Sequence, residues 1–123
     1  SSVTVGPDGT IYVSEYSGGR IQKFDSNGVY LGTIGEPGSE PGQLNQPTGI
    51  AIDADGNVVV ADFANGRLQI FRPDGSLIGI VTAIPGYADH IAPSFVMFDR
   101  DGYLLMSDEA GNSVVKMKLP PLS

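Results

Sequence analysis

The chain has no cysteine, a single histidine, and only seven basic residues against fourteen acidic ones in 123 positions. Without cysteine there is no disulfide framework, no thiolate nucleophile and no Cys-ligated zinc. The net charge of −7 disfavours a duplex-binding or phosphate-tracking role, which needs clustered Lys and Arg. Here the bases are scattered: Arg20, Lys23, Arg67, Arg72, Arg100, Lys116 and Lys118. No apolar run approaches 18 residues, so no membrane-spanning helix is expected. The opening SSVTVGPDG carries neither a basic segment nor an apolar core, so no leader is expected there. A cytoplasmic chain and a processed secreted or periplasmic one would read alike, and the compartment stays open.

What the chain does have is repetition. Val3 to Phe24 reads VTVGPDGTIYVSEYSGGRIQKF, Ile50 to Phe71 reads IAIDADGNVVVADFANGRLQIF, and Val96 to Met117 reads VMFDRDGYLLMSDEAGNSVVKM. The turn glycines Gly9, Gly56 and Gly102 are spaced by 47 and 46 residues, and the acids Glu15, Asp62 and Asp108 repeat the same spacing. A period of this length, written in short apolar runs between Gly-bearing turns, predicts a β-propeller with one blade per repeat. The 17 glycines and 9 prolines fall largely at these turns, in register, and so do not signal disorder.

The middle repeat shows how a blade is encoded. Asp55-Gly56 and Asn65-Gly66 supply residues that tolerate the positive φ of tight turns. Val58-Val59-Val60 is an unbroken β-branched run, which suits a strand buried on both faces. The reading is all-β throughout, as a single half-propeller over residues 1–123 with blades near 1–34, 47–81 and 94–119. Strands are predicted at 2–5, 10–14, 20–24, 29–34, 49–53, 57–61, 67–71, 76–81, 95–98, 103–107 and 113–118. The last blade has three strands, because 118–123 (KLPPLS) does not read as a fourth. Segments 35–48 and 82–94 are crossovers from the outer edge of one blade to the inner strand of the next.

Residues 41–71, PGQLNQPTGIAIDADGNVVVADFANGRLQIF, resemble the NHL repeat. Gly42-Gln43-Leu44, Pro47, Gly49-Ile50-Ala51, Asp53, Gly56-Asn57, Val60-Ala61-Asp62, Asn65 and Arg67 to Phe71 carry the likeness. The first repeat is similar, and the third departs, with Ser113 where Arg67 stands and Met117 where Phe71 stands. The resemblance implies a six-bladed ring, of which three blades are half. It fixes fold better than function, since NHL-like propellers include protein-binding and RNA-binding modules, sensor domains and enzymes.

The strand-end acids Glu15, Asp62 and Asp108 have two readings. They form a carboxylate ring at the channel mouth that holds a divalent cation such as calcium, or they accept backbone N–H groups at their own turns. Recurrence in the repeat favours the second, so no cofactor is expected. Arg20 and Arg67 read likewise as staples to nearby carboxylates. Tyr16 and Phe63 occupy a variable slot after the acid, and Tyr87 and His90 lie in the second crossover. All four fall on one predicted face as candidate binding anchors, with packing between blades as the competing role of the two former. One histidine per chain does not build the multi-histidine site of zinc-dependent propeller lyases. No serine sits in a nucleophile elbow.

The sequence therefore reads as a non-catalytic binding scaffold that completes its ring as a homodimer. The alternative is a metal-dependent, lactonase- or lyase-like hydrolase with its site in the channel of the assembled ring.

Overall fold

The computed structural model describes residues 2–119. Three antiparallel sheets follow one another along the chain. The first contains β1 (Val3–Val5), β2 (Ile11–Glu15), β3 (Arg20–Phe24) and β4 (Tyr30–Ile34) in that order. The second contains β5 (Pro47–Ile52), β6 (Val58–Asp62), β7 (Arg67–Phe71) and β8 (Leu77–Val81). The third contains β9 (Pro93–Phe98), β10 (Leu104–Asp108) and β11 (Ser113–Met117). Each sheet is a blade of a β-propeller, and the three form an arc. The expected lack of a fourth strand in blade three concerns 118–123, of which 120–123 lie outside the described residues, as does Ser1 at the start of blade one.

The hairpin turns follow from local chemistry. Gly9, Gly56 and Gly102 all take φ near +86 to +89°, where a side chain would be strained. The preceding aspartates close the turns. Asp53 Oδ1 accepts the N–H groups of Asp55 and Asn57, and Asp99 Oδ1 accepts those of Asp101 and Tyr103, each at 2.9–3.0 Å.

The strand limits differ from the sequence reading in an instructive way. β2, β6 and β10 run one residue further, through Glu15, Asp62 and Asp108, because each acid pairs across the ladder with the first residue of the next strand: Arg20, Arg67 and Ser113. β5 and β9 begin earlier than expected, at Pro47 and Pro93, which sit opposite Asp62 and Asp108. A proline is tolerated there because it opens the strand. Among the described residues the one helical element is a single 3₁₀ turn, Phe63–Asn65, closed by Gly66 at φ 65°.

Blade two is covered on both sides. Against blade one it packs Ile50, Val58, Val60 and Phe71 onto Tyr12, Ile21 and Ile34, with Leu44 of the first crossover. Against blade three it packs Ala51, Val59, Ala61, Leu68 and Ile70 onto Val96, Leu104, Met106 and Val115, with Ile91 of the second crossover. Val58, Val59 and Val60 are all fully buried, as an unbroken apolar run requires. The inner strands approach closely: a Cβ on Gly49 would lie 2.8 Å from Phe95 Cα and from Ser94 O. Hydroxyl groups tie them together. Thr4 Oγ1 donates to Ile50 O at 2.9 Å, Ser14 Oγ to Thr48 O at 2.8 Å, and Thr48 Oγ1 to Ser94 O at 2.5 Å.

The two interfaces predict the stability of the arc. Leu68→Ala should lower unfolding stability by about 2–5 kcal/mol, the usual cost of a cavity in a core that does not collapse. Urea denaturation followed by circular dichroism measures it, and a loss under about 1 kcal/mol would mean the blade interface is not a packed core.

Candidate functional site

The strand-end acids, the 3₁₀ turn and the two crossovers share one face, joined by hydrogen bonds between turn and crossover. Ala64 N donates to Asn45 O at 3.1 Å, and Glu109 N to Ala92 O at 3.0 Å. This is the face on which the sequence reading placed its candidates.

Asp62 is fully buried and surrounded by donors. Arg67 Nε reaches its Oδ2 at 2.6 Å, Gln69 Nε2 the same oxygen at 3.2 Å, and Asn45 N its Oδ1 at 2.8 Å. Asn65 Nδ2 bonds both oxygens at 3.0 and 3.2 Å. Arg67 continues outward, donating through Nη2 to Glu40 O at 2.9 Å and Gln43 O at 2.8 Å. Gln69 donates to Gln43 O at 2.7 Å and accepts from Gly42 N at 2.8 Å. This network leaves the Asp62 oxygens facing nitrogen donors, the arrangement of a staple rather than of a cation ligand.

Asp108 does the same work with different partners. Ser113 and Val115 stand where Arg67 and Gln69 do, and Val115 has joined the apolar core. The carboxylate is served instead by Ala92 N at 2.8 Å, Ala110 N at 3.1 Å and the Tyr87 hydroxyl at 2.8 Å. Burial opposes its ionisation, but these bonds and the Gly111 N–H outweigh burial and hold the carboxyl below the ordinary aspartate value of 3.8.

Glu15 is the open member of the set. Its Oε1 accepts from Gln22 Nε2 and lies 3.6 Å from Arg20 Nε, and both charged side chains are partly exposed. Tyr16 is exposed beside a cleft of about 450 Å³ lined also by Ser17, Gly19, Pro37, Gly38 and Leu44 to Gln46. Phe63 is half-buried in the 3₁₀ turn, Tyr87 is exposed with its hydroxyl on Asp108, and His90 is exposed on the second crossover. The opposite face, built from Asp-Gly turns, has clefts of about 330 and 450 Å³. Among the described residues no group of three His, Asp or Glu stands close enough to hold a metal ion. No helix there is long and apolar enough to cross a membrane.

Sequence reasoning missed Gln22 and Gln69. Their signal was present, since RIQKF and RLQIF carry glutamine at the same place. It also missed the Thr4, Ser14 and Thr48 ladder, whose members do not recur at one repeat position.

A three-bladed arc with staples at its strand ends defines a β-propeller segment. The family model of the NHL repeat matches residues 44–71, the crossover end and first three strands of blade two, and the chain is NHL-like in fold. Solved structures share the arc at low identity. A streptogramin B lyase aligns at 20% identity and TM-score 0.74, over 98% of this chain and 38% of that one. A catalytically inactive virginiamycin B lyase from Staphylococcus aureus with quinupristin aligns at 17% and 0.74, over 98% and 39%. A nidogen/laminin complex aligns at 19% and 0.65, over 90% and 39%. The chain thus spans about two-fifths of the length of these structures. No curated protein matches it by sequence.

Two predictions separate the staples. Asp62→Ala strands the Arg67 guanidinium in a buried site and should cost about 3–5 kcal/mol, whereas Glu15→Ala should cost under about 1 kcal/mol; equal losses in chemical denaturation would refute the distinction. Because the folded Asp108 carboxyl titrates below its unfolded value, its contribution is complete above that unfolded value and fades as pH falls through the folded one. Tyr87→Phe should therefore raise the Asp108 midpoint in a carboxyl-carbon NMR titration and shift acid unfolding to higher pH. An unmoved midpoint would show that the hydroxyl does not stabilise the carboxylate.

Proposed function

We propose that the chain is a non-catalytic recognition scaffold whose ring is completed by a second copy, with the crossover face as its binding surface. The observation that carries the first part is the state of the two end faces. On blade one, Val3, Ile11, Val13 and Phe24 take the positions of Ile50, Val58, Val60 and Phe71, which blade two buries against blade one. On blade three, Met97, Leu105 and Val114 take the positions of Ala51, Val59 and Leu68, which blade two buries against blade three. Val3, Val5, Phe95, Met97 and Val114 are each more than half exposed. The end faces thus carry the residues of an interface without the partner, and contiguous apolar surface of this kind marks an interaction site. A two-fold axis sets blade three of each copy on blade one of the other and gives the six blades that NHL-like rings favour.

Tyr16, Tyr87 and His90 on the crossover face supply exposed aromatic and imidazole groups over a rigid frame, the composition of a recognition surface. The likeness to lyases, at 17–20% identity, concerns the fold and brings no activity with it.

Light scattering at micromolar concentration should give twice the chain mass of 12.9 kDa. Phe95→Glu should return the protein to one chain while its far-UV spectrum stays that of a β protein. A stable, cooperatively unfolding wild-type monomer would sink the ring-closure reading, and divalent-metal-dependent hydrolysis of a lactone would sink the non-catalytic one.

A further inference from the structure

The cleft of about 330 Å³ on the Asp-Gly turn face lies between blades one and two. Blade one lines it with Gly6, Asp8 and Tyr12, and blade two with Ile52, Asp55 and Pro73. Both walls thus belong to an internal interface, away from either end face. Two departures from repetition build it. Tyr12 stands where the other blades have Val59 and Leu105, and Gly6 where they have Asp53 and Asp99. Asp53 and Asp99 close their own turns from that position. In blade one Asp8 takes over the task, its Oδ1 accepting Thr10 N at 3.0 Å, and Gly6 leaves bare, buried backbone beside the phenol ring. A Cβ on Gly6 would lie 3.6 Å from Tyr12 Cε2 and 3.4 Å from Ile52 Cγ2, so a larger side chain would crowd the groups that line the cleft.

Tyr12 is a core residue, 3% exposed, in one cluster with Ile21, Ile50 and Val60. A buried phenol ordinarily gives its O–H to a neighbouring acceptor. This hydroxyl has no partner among the described residues. Those residues contain no sealed-off side-chain oxygen without a hydrogen bond, so the hydroxyl meets solvent, and the cleft is where Tyr12 does so. Burial, with the Asp8 charge acting in the same sense, holds the phenol above its ordinary value of 10.0 and keeps it neutral. It therefore offers lone pairs to a donor. Asp8 and Asp55 stand exposed at the mouth. The Thr10 N–H holds the Asp8 carboxyl below its ordinary value of 3.8, in the charged form. Lys23, whose charge acts on Asp8, is itself held by Pro73 O at 2.6 Å.

We infer that this cleft binds a primary ammonium on a short unbranched alkyl stem, either a free amine or a lysine side chain. The ammonium has three N–H donors and no acceptor, and the cleft sets one unpartnered hydroxyl and two carboxylates before it. The stem lies along Ile52 and the ring of Pro73. An anionic ligand would meet like charge at the mouth, on a chain whose net charge is already −7. The buried, unpartnered hydroxyl is what distinguishes this place from the other Asp-Gly turns, which carry the acids without it. The site lies on the face opposite the crossovers, and neither ring closure nor the crossover surface enters the inference or its test.

The probe is n-butylammonium chloride, titrated at constant ionic strength into isotopically labelled protein, with n-butanol as its uncharged match. The backbone amide signals of Gly6 and Gly56 and the Tyr12 ring signals should shift saturably with butylammonium, at a dissociation constant of about 10 mM or below. Butanol should bind about tenfold more weakly or not at all. Tyr12→Phe removes only an unpartnered hydroxyl and keeps the ring, so the variant should fold as the parent does and bind about tenfold more weakly, the worth of one hydrogen bond to a charged group. Asp55→Asn, at an exposed turn position, should weaken binding about threefold. Nα-acetyl-lysine N-methylamide separates the two sources: tighter binding than butylammonium assigns the site to a peptide lysine, and weaker binding to a free amine. Absence of a saturable shift at about 100 mM butylammonium would overturn the assignment, as would equal binding of butanol or full affinity in either variant.

Discussion

A sheet that is apolar on both faces must be covered on both faces. The burial pattern of the three blades follows from that constraint. β6 is buried at all five positions because it lies between two neighbours, and β7 likewise. β2 and β10 have the same design but alternate between buried and half-buried residues, because each blade at the end of the arc has one neighbour. At about 25 cal/mol for each Å² of apolar surface removed from water, a second covered face is a large term for a small blade. The repeat length and the short turns both serve the stacking of sheets.

Stacking alone does not fix how the chain passes from one blade to the next. That is the task of the strand-end carboxylate. A crossover leaves backbone groups over the top of a sheet, where water is partly excluded and an unpaired amide is costly. Asp62 and Asp108 each solve this with a different set of donors. Where Arg67 and Gln69 are replaced by Ser113 and Val115, the loop lays the hydroxyl of the exposed Tyr87 on Asp108 instead, and the freed position 115 turns apolar and joins the core. Among the described residues no buried side-chain nitrogen or oxygen is left without a partner. The carboxylate is thus the fixed element and its donors are interchangeable, which is why the acid recurs three times and the arginine twice.

Much of this was legible in the residues. The Asp-Gly pairs located the inner hairpin turns because few other residues accept that backbone conformation, and the valine run of β6 gave the burial of blade two. The strand ends were less legible. The predicted ranges stopped each second strand one residue before its strand-end acid, whereas the cross-strand pairing of Asp62 with Arg67 extends the ladder by one position. The partners of the carboxylates were harder still. Asn45 and Gly42 lie 17 and 27 residues before the side chains they meet, so nothing local announces the contact. The partly exposed state of Glu15 against the buried state of Asp62 was invisible, since the two repeats are near copies and the loop that covers Asp62 comes from elsewhere in the chain.

Two departures from repetition lie on the free side of blade three. Gly49 lets β9 come within contact of β5, yet its equivalent on β9 is Phe95, whose side chain stands out from the sheet. Ile70, in the core, has Lys116 as its equivalent, held by Asp99 at 3.4 Å and over the Tyr103 ring at 4.8 Å. A blade that packs on blade three therefore meets a bulky ring where the internal interface has bare backbone, and a cation where it has an aliphatic chain. It cannot sit as blade three sits on blade two. The ring of Phe95 would hold the inner strands of such a pair further apart, whereas the hydroxyl-to-carbonyl ties that Thr4 and Thr48 make within the arc span a close approach. A partner blade at this seam would rest instead on the anchor that Phe95 provides, with Met97, Leu105 and Val114 around it. An interface of that kind, one aromatic set among aliphatic side chains with a charged rim, has the anatomy of association between separate surfaces rather than of a sheet continuing its own stack.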